Sequence, residues 1–499
     1  MRYIPVIILL LITVLARGFV RGTDEAPAVP ALTPFEIEQM PAPGIADTSC
    51  NRITGNVQAL EGLFGEFARL ERGEKQLPVA ILQLGDSHVQ AGFFPNRVRS
   101  RLQMLFGDAG RGLIAPFRLS GTNEPPDYAI ASSGKWTASR CTQVSPDEMP
   151  GLTGMALSGN GRTAEFTITA KDSPFDRLRA FHHREAPLLK APDSLTDDIL
   201  CPLGDTEEST MIPLRETVTS VTLRSATTDT AYARQVYYGF SLENGNRGIL
   251  FHSMGINGNT FTAMNRNPQI VRQAVPLQPE LIILSLGTND SYGRNFDEAA
   301  VGAQVEKLIG LLKEYFPLCP LLLTTPMECW SRVRVKGRYV RKPNPNAERV
   351  RDQIVQAAGR HGLPVWDFYA VAGGDGAMER WYRAGLAGAD RIHLSHDGYR
   401  LQGDLLCDAL VKAYNGYKEL HGTTGTVAGD LQLKKIGTRT AATDAAEKKK
   451  GKRHIRPPGQ KILQAGRAAA SSPKDERQET KPEETGAQEI RPNGKDTDH

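Results

Sequence analysis

Four short blocks of the 499-residue chain set hydroxyl, amide, imidazole and carboxylate groups where acyl chemistry needs them. Gly85-Asp86-Ser87-His88 places a serine directly after an apolar run. Gly255-Ile256-Asn257-Gly258-Asn259-Thr260 and Gly287-Thr288-Asn289-Asp290 offer glycine turns with backbone N–H groups and an asparagine amide. Asp390-Arg391-Ile392-His393 pairs a carboxylate with an imidazole three residues later. A serine hydroxyl is a weak nucleophile at neutral pH and needs a base within hydrogen-bond reach, itself oriented by a carboxylate. An acyl-transfer transition state also gathers negative charge on the carbonyl oxygen, which fixed donors must meet. Gly-Asp-Ser alone is a common turn; the four blocks together supply every part.

In their order, the blocks resemble those of the SGNH (GDSL-type) hydrolase superfamily of esterases, lipases and carbohydrate deacetylases, over residues 81 to about 415. The resemblance implies Ser87 as nucleophile, His393 as base and Asp390 as its orienting carboxylate. It implies an oxyanion hole built from the N–H of Ser87, the N–H of Gly258 and the side-chain amide of Asn289. Gly258 is preferred to Gly255 there because it precedes the small polar pair Asn259-Thr260. His88 stands where the commonest version of the first block has Leu. Gly-Asp-Ser-His is similar to the form seen in peptidoglycan O-acetylesterases, which often carry an inserted carbohydrate-binding-like β-domain after that block. The chemistry so implied uses no cofactor and no metal. Of the other histidines, His396 is expected in a loop or behind the site, His88 packed locally, and His182 and His183 at the surface.

The elements that must position these blocks are legible as short apolar runs alternating with helical patterns. Pro78–Leu84, Gly248–Met254, Leu281–Leu286, Pro320–Thr325 and Pro364–Phe368 read as buried strands. Pro95–Phe106, Asp297–Tyr315, Asn344–His361 and Gly398–Tyr414 read as helices. This alternation predicts a parallel sheet covered on both faces, an α/β/α core of flavodoxin-like type in the resemblance. Ligands bind at the carboxyl ends of such strands, where three of the blocks fall. Ala115–Asn246 breaks the rhythm with short strand-like runs and predicts an inserted β-sandwich. Joined to the core shortly before Gly258, the insert would overhang the cleft.

The expected organisation is a signal peptide or N-terminal anchor (1–22), a linker (23–49), the core's first part (50–114), the insert (115–246), the core's second part (247–420) and a disordered charged tail (421–499). Arg2 followed by the apolar Tyr3–Ala16 run suits an export signal and is short for a spanning helix. The tail holds 16 Lys and Arg against 11 Asp and Glu, so the remaining 44 against 45 leave a nearly neutral body. Bulk charge therefore gives nucleic-acid binding no support. The tail's basic cluster at Lys448–Arg453 has the charge to touch an anionic cell envelope. Six cysteines (Cys50, Cys141, Cys201, Cys319, Cys329, Cys407) leave disulfide pairing open, and oligomeric state is likewise open. A basic run with Trp330, Arg334, Arg338 and Tyr339 suits contact with acidic glycan through ion pairs and stacking. The expectation is an exported, periplasmic or envelope-associated serine esterase removing O-acetyl groups from a carbohydrate, peptidoglycan foremost. An esterase, lipase or acyltransferase acting on another acylated glycan or lipid is the first alternative. A catalytically silent glycan-binding protein is the second.

Overall fold

The computed structural model describes residues 32–37, 44–161, 163–196, 206–225, 235–293 and 295–421. The expected signal segment, most of the linker, Cys201 and the tail from 422 onward lie outside these residues. Six strands form the central sheet: β1 (Ile53–Gly55), β2 (Val79–Gly85), β3 (Ile249–Gly255), β4 (Leu281–Ser285), β5 (Leu321–Thr324) and β6 (Pro364–Trp366). Their spatial order is β1-β6-β5-β4-β2-β3. β2 is buried at all seven positions, as befits an apolar strand flanked by β3 and β4 and covered on both faces. The expected parallel core is present, with one addition. β1, unforeseen from sequence, pairs antiparallel with β6 at the edge.

Alternate strand residues feed two separate hydrophobic cores. Val79, Ile81, Phe251, Ile283 and Leu322 pack against α1 (Glu61–Glu71), α2 (Phe93–Phe106) and α5 (His396–His421). Leu82, Leu84, Met254, Ile282 and Leu284 face α3 (Glu298–Tyr315) and α4 (Asn346–His361). α5 is longer than its sequence pattern suggested, running from His396 past Tyr414 to His421.

The β-rich region begins at strand Gly112–Ile114, just before the expected Ala115, and its last strand ends at Glu243. Gly112–Ile114, Thr137–Arg140, Met155–Gly159, Phe175–His182, Ser209–Val218 and Gln235–Glu243 make one antiparallel sheet. Ala129–Ala131, Glu165–Thr169, Leu189–Lys190 and Ser220–Ser225 make the other. Phe166 of the second sheet meets Tyr237 and Phe240 of the first edge-on, closing a sandwich. The insert is not set apart from the core. Its Phe166, Leu178, Tyr237 and Phe240 belong to the same apolar cluster as Leu84, Met254 and Ile256.

One expectation is corrected here. His182 is buried, not exposed: its Nε2 lies 2.9 Å from Thr210 Oγ1 and its Nδ1 3.0 Å from the His183 carbonyl. The paired strand Ser209–Val218 covers it. The described cysteines Cys50, Cys141, Cys319, Cys329 and Cys407 are free thiols.

Candidate active site

β2, β3 and β4 end side by side, Gly85 beside both Gly255 and Ser285. Directly after β2, Asp86 caps a four-residue helical turn, Ser87–Gln90, with Oδ1 accepting from the His88 N–H at 3.0 Å. The cap starts the turn at Ser87 and leaves its hydroxyl half-buried at the strand ends. Ser87 Oγ lies 2.9 Å from His393 Nε2, and His393 Nδ1 lies 2.8 Å from Asp390 Oδ2. These are the distances a nucleophile, a base and an orienting carboxylate require.

Asp390 is held as an anion. Burial pushes its carboxyl up, but the hydrogen bond and charge of His393, with the N–H groups of Ile392 and His393 at 3.0 Å, bring it down to about 2. The loop carrying both residues is stapled by Arg391, whose positive φ of 55° is rare outside glycine. Its guanidinium lies over the rings of Tyr382 and Trp330 at 3.7 and 5.0 Å and bonds Glu379 at 2.8 Å. Arg341 donates to the Asp390 carbonyl.

The two candidate glycines separate cleanly. A Cβ on Gly255 would sit 2.2 Å from the Gln90 nitrogen and 2.7 Å from the Asp86 oxygen, so Gly255 lets β3 pack against the serine turn. Gly258, at φ +81°, faces open space, and its N–H, like that of Ser87, has no partner among the described residues. The Asn289 amide donates to the Asn259 carbonyl at 3.0 Å and lies 3.5 Å from Asp86 Oδ2. It is tied to the Gly258 loop as well as near the serine turn.

Two further carboxyls lie beneath. Burial raises Asp86 to about 6, and burial followed by the charge of Asp86 raises Asp290 to about 7. Asp290 Oδ1 accepts from Phe261 N–H at 3.1 Å while its buried Oδ2 has no partner.

His88 packs locally, as expected. Its ring centroid is 5.3 Å from that of His393, and its Nδ1 is 3.0 Å from the Tyr399 hydroxyl. Burial, then the neighbouring His393 charge, drives its pKa down to about 3, so it is neutral. His396 is exposed and sits edge-on to Phe93.

The basic run forms a hairpin, Trp330–Val335 with Arg338–Pro343. Its register divides the four residues singled out from sequence. Arg334 lies opposite Tyr339 and on the face of Arg332 and Arg341, whereas Arg338 lies opposite Val335 on the other face. Tyr339 is exposed, with the Arg332 guanidinium 4.3 Å from its ring centre. Trp330 instead packs inward beneath Arg391. Among the described residues, none of Arg332, Arg334, Lys336, Arg338, Arg341 and Lys342 has a carboxylate partner. Sequence reasoning missed Arg391, Tyr399 and Gln90; only Gln90, three residues after Ser87, gave a local hint.

The GDSL-like Lipase/Acylhydrolase family model matches residues 193–401. That stretch carries Gly258, Asn289, Asp390 and His393 but begins inside the insert and leaves Ser87 out. Among solved structures, a peptidoglycan O-acetylesterase is similar over 73% of this chain and 99% of its own. Its identity is 22% and its TM-score 0.58, a likeness of fold. A lipase/acylhydrolase from Enterococcus faecalis is 22% identical over 34% of this chain and 77% of its own, with a TM-score of 0.25. An acetyl xylan esterase is 18% identical over 31% and 78%, also at 0.25. Neither of these last two carries weight. No curated protein matches the chain.

Proposed function

We propose, from a chain that carries a GDSL-like lipase/acylhydrolase (SGNH) domain, that this ester hydrolase removes O-acetyl groups from a carbohydrate, peptidoglycan foremost, through Ser87, His393 and Asp390. The observation that carries the reading is the unbroken bond series Ser87–His393–Asp390, with the Gly258 N–H left without a partner among the described residues. Ser87 Oγ attacks the acetyl carbonyl as its proton passes to His393 Nε2. The oxyanion is met by the N–H groups of Ser87 and Gly258 and by the Asn289 amide. The C–O bond to the sugar breaks, the sugar oxygen takes the proton from His393, and the acetyl group stays on Ser87. Water, deprotonated by His393, then attacks the acyl-enzyme; acetate leaves and Ser87 recovers its proton.

Three features support the choice of a glycan polymer. The chain is similar over most of its length to a peptidoglycan O-acetylesterase. Residue 88 is a histidine packed against His393. The hairpin beside the Asp390 loop presents Arg332, Arg334 and exposed Tyr339 on one face, suited to carboxylates and sugar rings. Export would bring enzyme and substrate together: Arg2 and the apolar Tyr3–Ala16 run act as the signal, and the basic tail contacts the envelope. The test is acetate release from O-acetylated peptidoglycan, acetylated xylan and a lipid ester, each with wild type and Ser87→Ala. Release from peptidoglycan that depends on Ser87 supports the reading. Release from xylan or lipid alone overturns the substrate and keeps the esterase.

A further inference from the structure

The loop that aims the Gly258 N–H is held by side chains of the insert. Asn257, the residue before Gly258, donates its backbone N–H to Gln90 Oε1 at 2.7 Å. Its side-chain amide donates to Asn123 Oδ1 at 2.7 Å and Thr122 Oγ1 at 3.1 Å. Gln90 Nε2 in turn lies 3.0 Å from Thr122 Oγ1, from the Asn123 carbonyl and from Asn123 Oδ1. Gln90 is buried and ends the helical turn that begins with Ser87. Four polar side chains thus tie the serine turn, the Gly258 loop and the first loop of the insert into one knot. A second tie runs from the same insert: Cys141 Sγ lies 3.7 Å from Asn259 Oδ1, on the other side of Gly258. Gly258 itself has no side chain to anchor it, and a Cβ built there would meet nothing within 4 Å. Its N–H direction is therefore inherited from Asn257 and Asn259.

We infer that Thr122 and Asn123 of the insert, acting through Gln90 and Asn257, are positioning residues for the oxyanion donor, so that the β-insert completes the catalytic site as well as covering the core. The inference rests on the esterase reading above. An oxyanion donor contributes only when it points at charge that develops in the transition state, so a misaimed donor lowers kcat and leaves substrate binding nearly unchanged. Loss of one such donor costs about 10²–10³ in kcat, and misaiming it costs less, on the order of tenfold.

The experiment uses the full chain and a small soluble acetate ester, too short to reach any polymer-binding surface. Asn123→Ala removes the acceptor shared by Gln90 and Asn257. We expect kcat to fall roughly tenfold with KM changed less than about twofold. Asn123→Asp, which keeps an oxygen at the same place, should restore most of kcat. Thr122→Val, which removes the other shared acceptor, should fall in the same direction. Thr222→Ala, on the second sheet of the insert and bonded there to Thr167, should leave both constants unchanged. Active wild type with kcat of Asn123→Ala and Thr122→Val within about twofold of it overturns the inference and spares the esterase. So does a loss confined to KM, or one that Asn123→Asp fails to restore. Wild type without any esterase activity overturns the esterase reading and this inference with it.

Discussion

Asp390→Asn changes one atom of the site and inverts one hydrogen bond. Asp390 Oδ1 accepts from the N–H groups of Ile392 and His393, both at 3.0 Å. In Asp390→Asn the amide oxygen keeps both acceptor roles, which turns the NH2 toward His393 Nδ1, 2.8 Å from the present oxygen. Two donors cannot face each other at that distance, so the imidazole moves its proton to Nε2. The Nε2–H then donates to Ser87 Oγ, 2.9 Å away, and no longer accepts the serine proton. In the chymotrypsin-type triad this reversal costs about 10⁴ in kcat, or about 5 kcal/mol at 1.36 kcal/mol per tenfold. We expect roughly 10³–10⁴ here, with KM within about threefold, because nothing that binds ground-state ester is touched. Thermal stability should stay within a few degrees, since both backbone bonds survive. Asp390→Ala loses all three bonds and should melt lower as well. Initial rates on a chromogenic acetate ester, with Ser87→Ala as background, give the kinetic answer; nitrogen-15 chemical shifts of the His393 ring give the tautomer directly. More than a tenth of wild-type kcat in Asp390→Asn, or a ring that keeps its proton on Nδ1, would refute the reasoning. Because the Asp390 carboxyl is held at about 2, its own ionisation should leave no mark on the wild-type pH–rate profile above about pH 3.

Four shorter expectations accompany it. Ser87→Ala should cost on the order of 10⁴–10⁶ in rate with little change in melting temperature, and survival of more than about a tenth of the activity would remove Ser87 from its role. Asn289→Ala should lower kcat by roughly 10²–10³; an effect on KM alone would make it a substrate-binding residue. Asp290, raised to about 7, binds its proton more tightly folded than unfolded, so wild type should lose stability as pH climbs from about 4 to 7. Asp290→Asn should flatten that fall, and melting curves that run parallel across this range would count against it. Arg334→Glu should weaken turnover of insoluble peptidoglycan more than Arg338→Glu on the opposite hairpin face, and added salt should shrink the difference; equal effects would deny the face its part.

Legibility followed sequence distance. β2 was visible because a strand buried on both faces must be apolar throughout, and the first three catalytic blocks because each is a local turn at a strand end. Asp390 and His393 are three residues apart, so their pairing is local too. Gly255 and Gly258 could be ranked but not separated from sequence, because what a Cβ would strike on Gly255 is the serine turn, about 170 residues away. β1 is only three residues long, and its strand character comes from pairing with β6. His182 looked like part of a polar surface doublet because its cover, Thr210, arrives 28 residues later. Arg391 carries no local sign of its positive φ, and the partners of its side chain, Glu379, Tyr382 and Trp330, come from two other segments. The knot that fixes Asn257 spans 167 residues on one side and 134 on the other.

The placing of the insert between β2 and β3 also dictates an order of assembly. These strands lie side by side, Gly85 against Gly255, although 170 residues separate them along the chain. Bringing together the ends of so long a flexible segment costs about 5 kcal/mol of chain entropy. Once Ile114 has paired with Phe240, only 29 and 15 residues remain open on the two sides. The loop is then shortened about fourfold, two halvings worth about 1 kcal/mol of barrier. The cheaper route folds the sandwich first and docks β3 afterwards, so the nucleophile meets its oxyanion loop only once the sandwich has formed. Pulsed hydrogen exchange during refolding should show amides of Phe175–His182 and Gln235–Glu243 protected before those of Ile249–Gly255. Simultaneous protection would mean that the two pairings nucleate together. On the sequential route the polypeptide carries a reactive-looking serine for most of its folding time, and becomes competent only after β3 has docked beside β2.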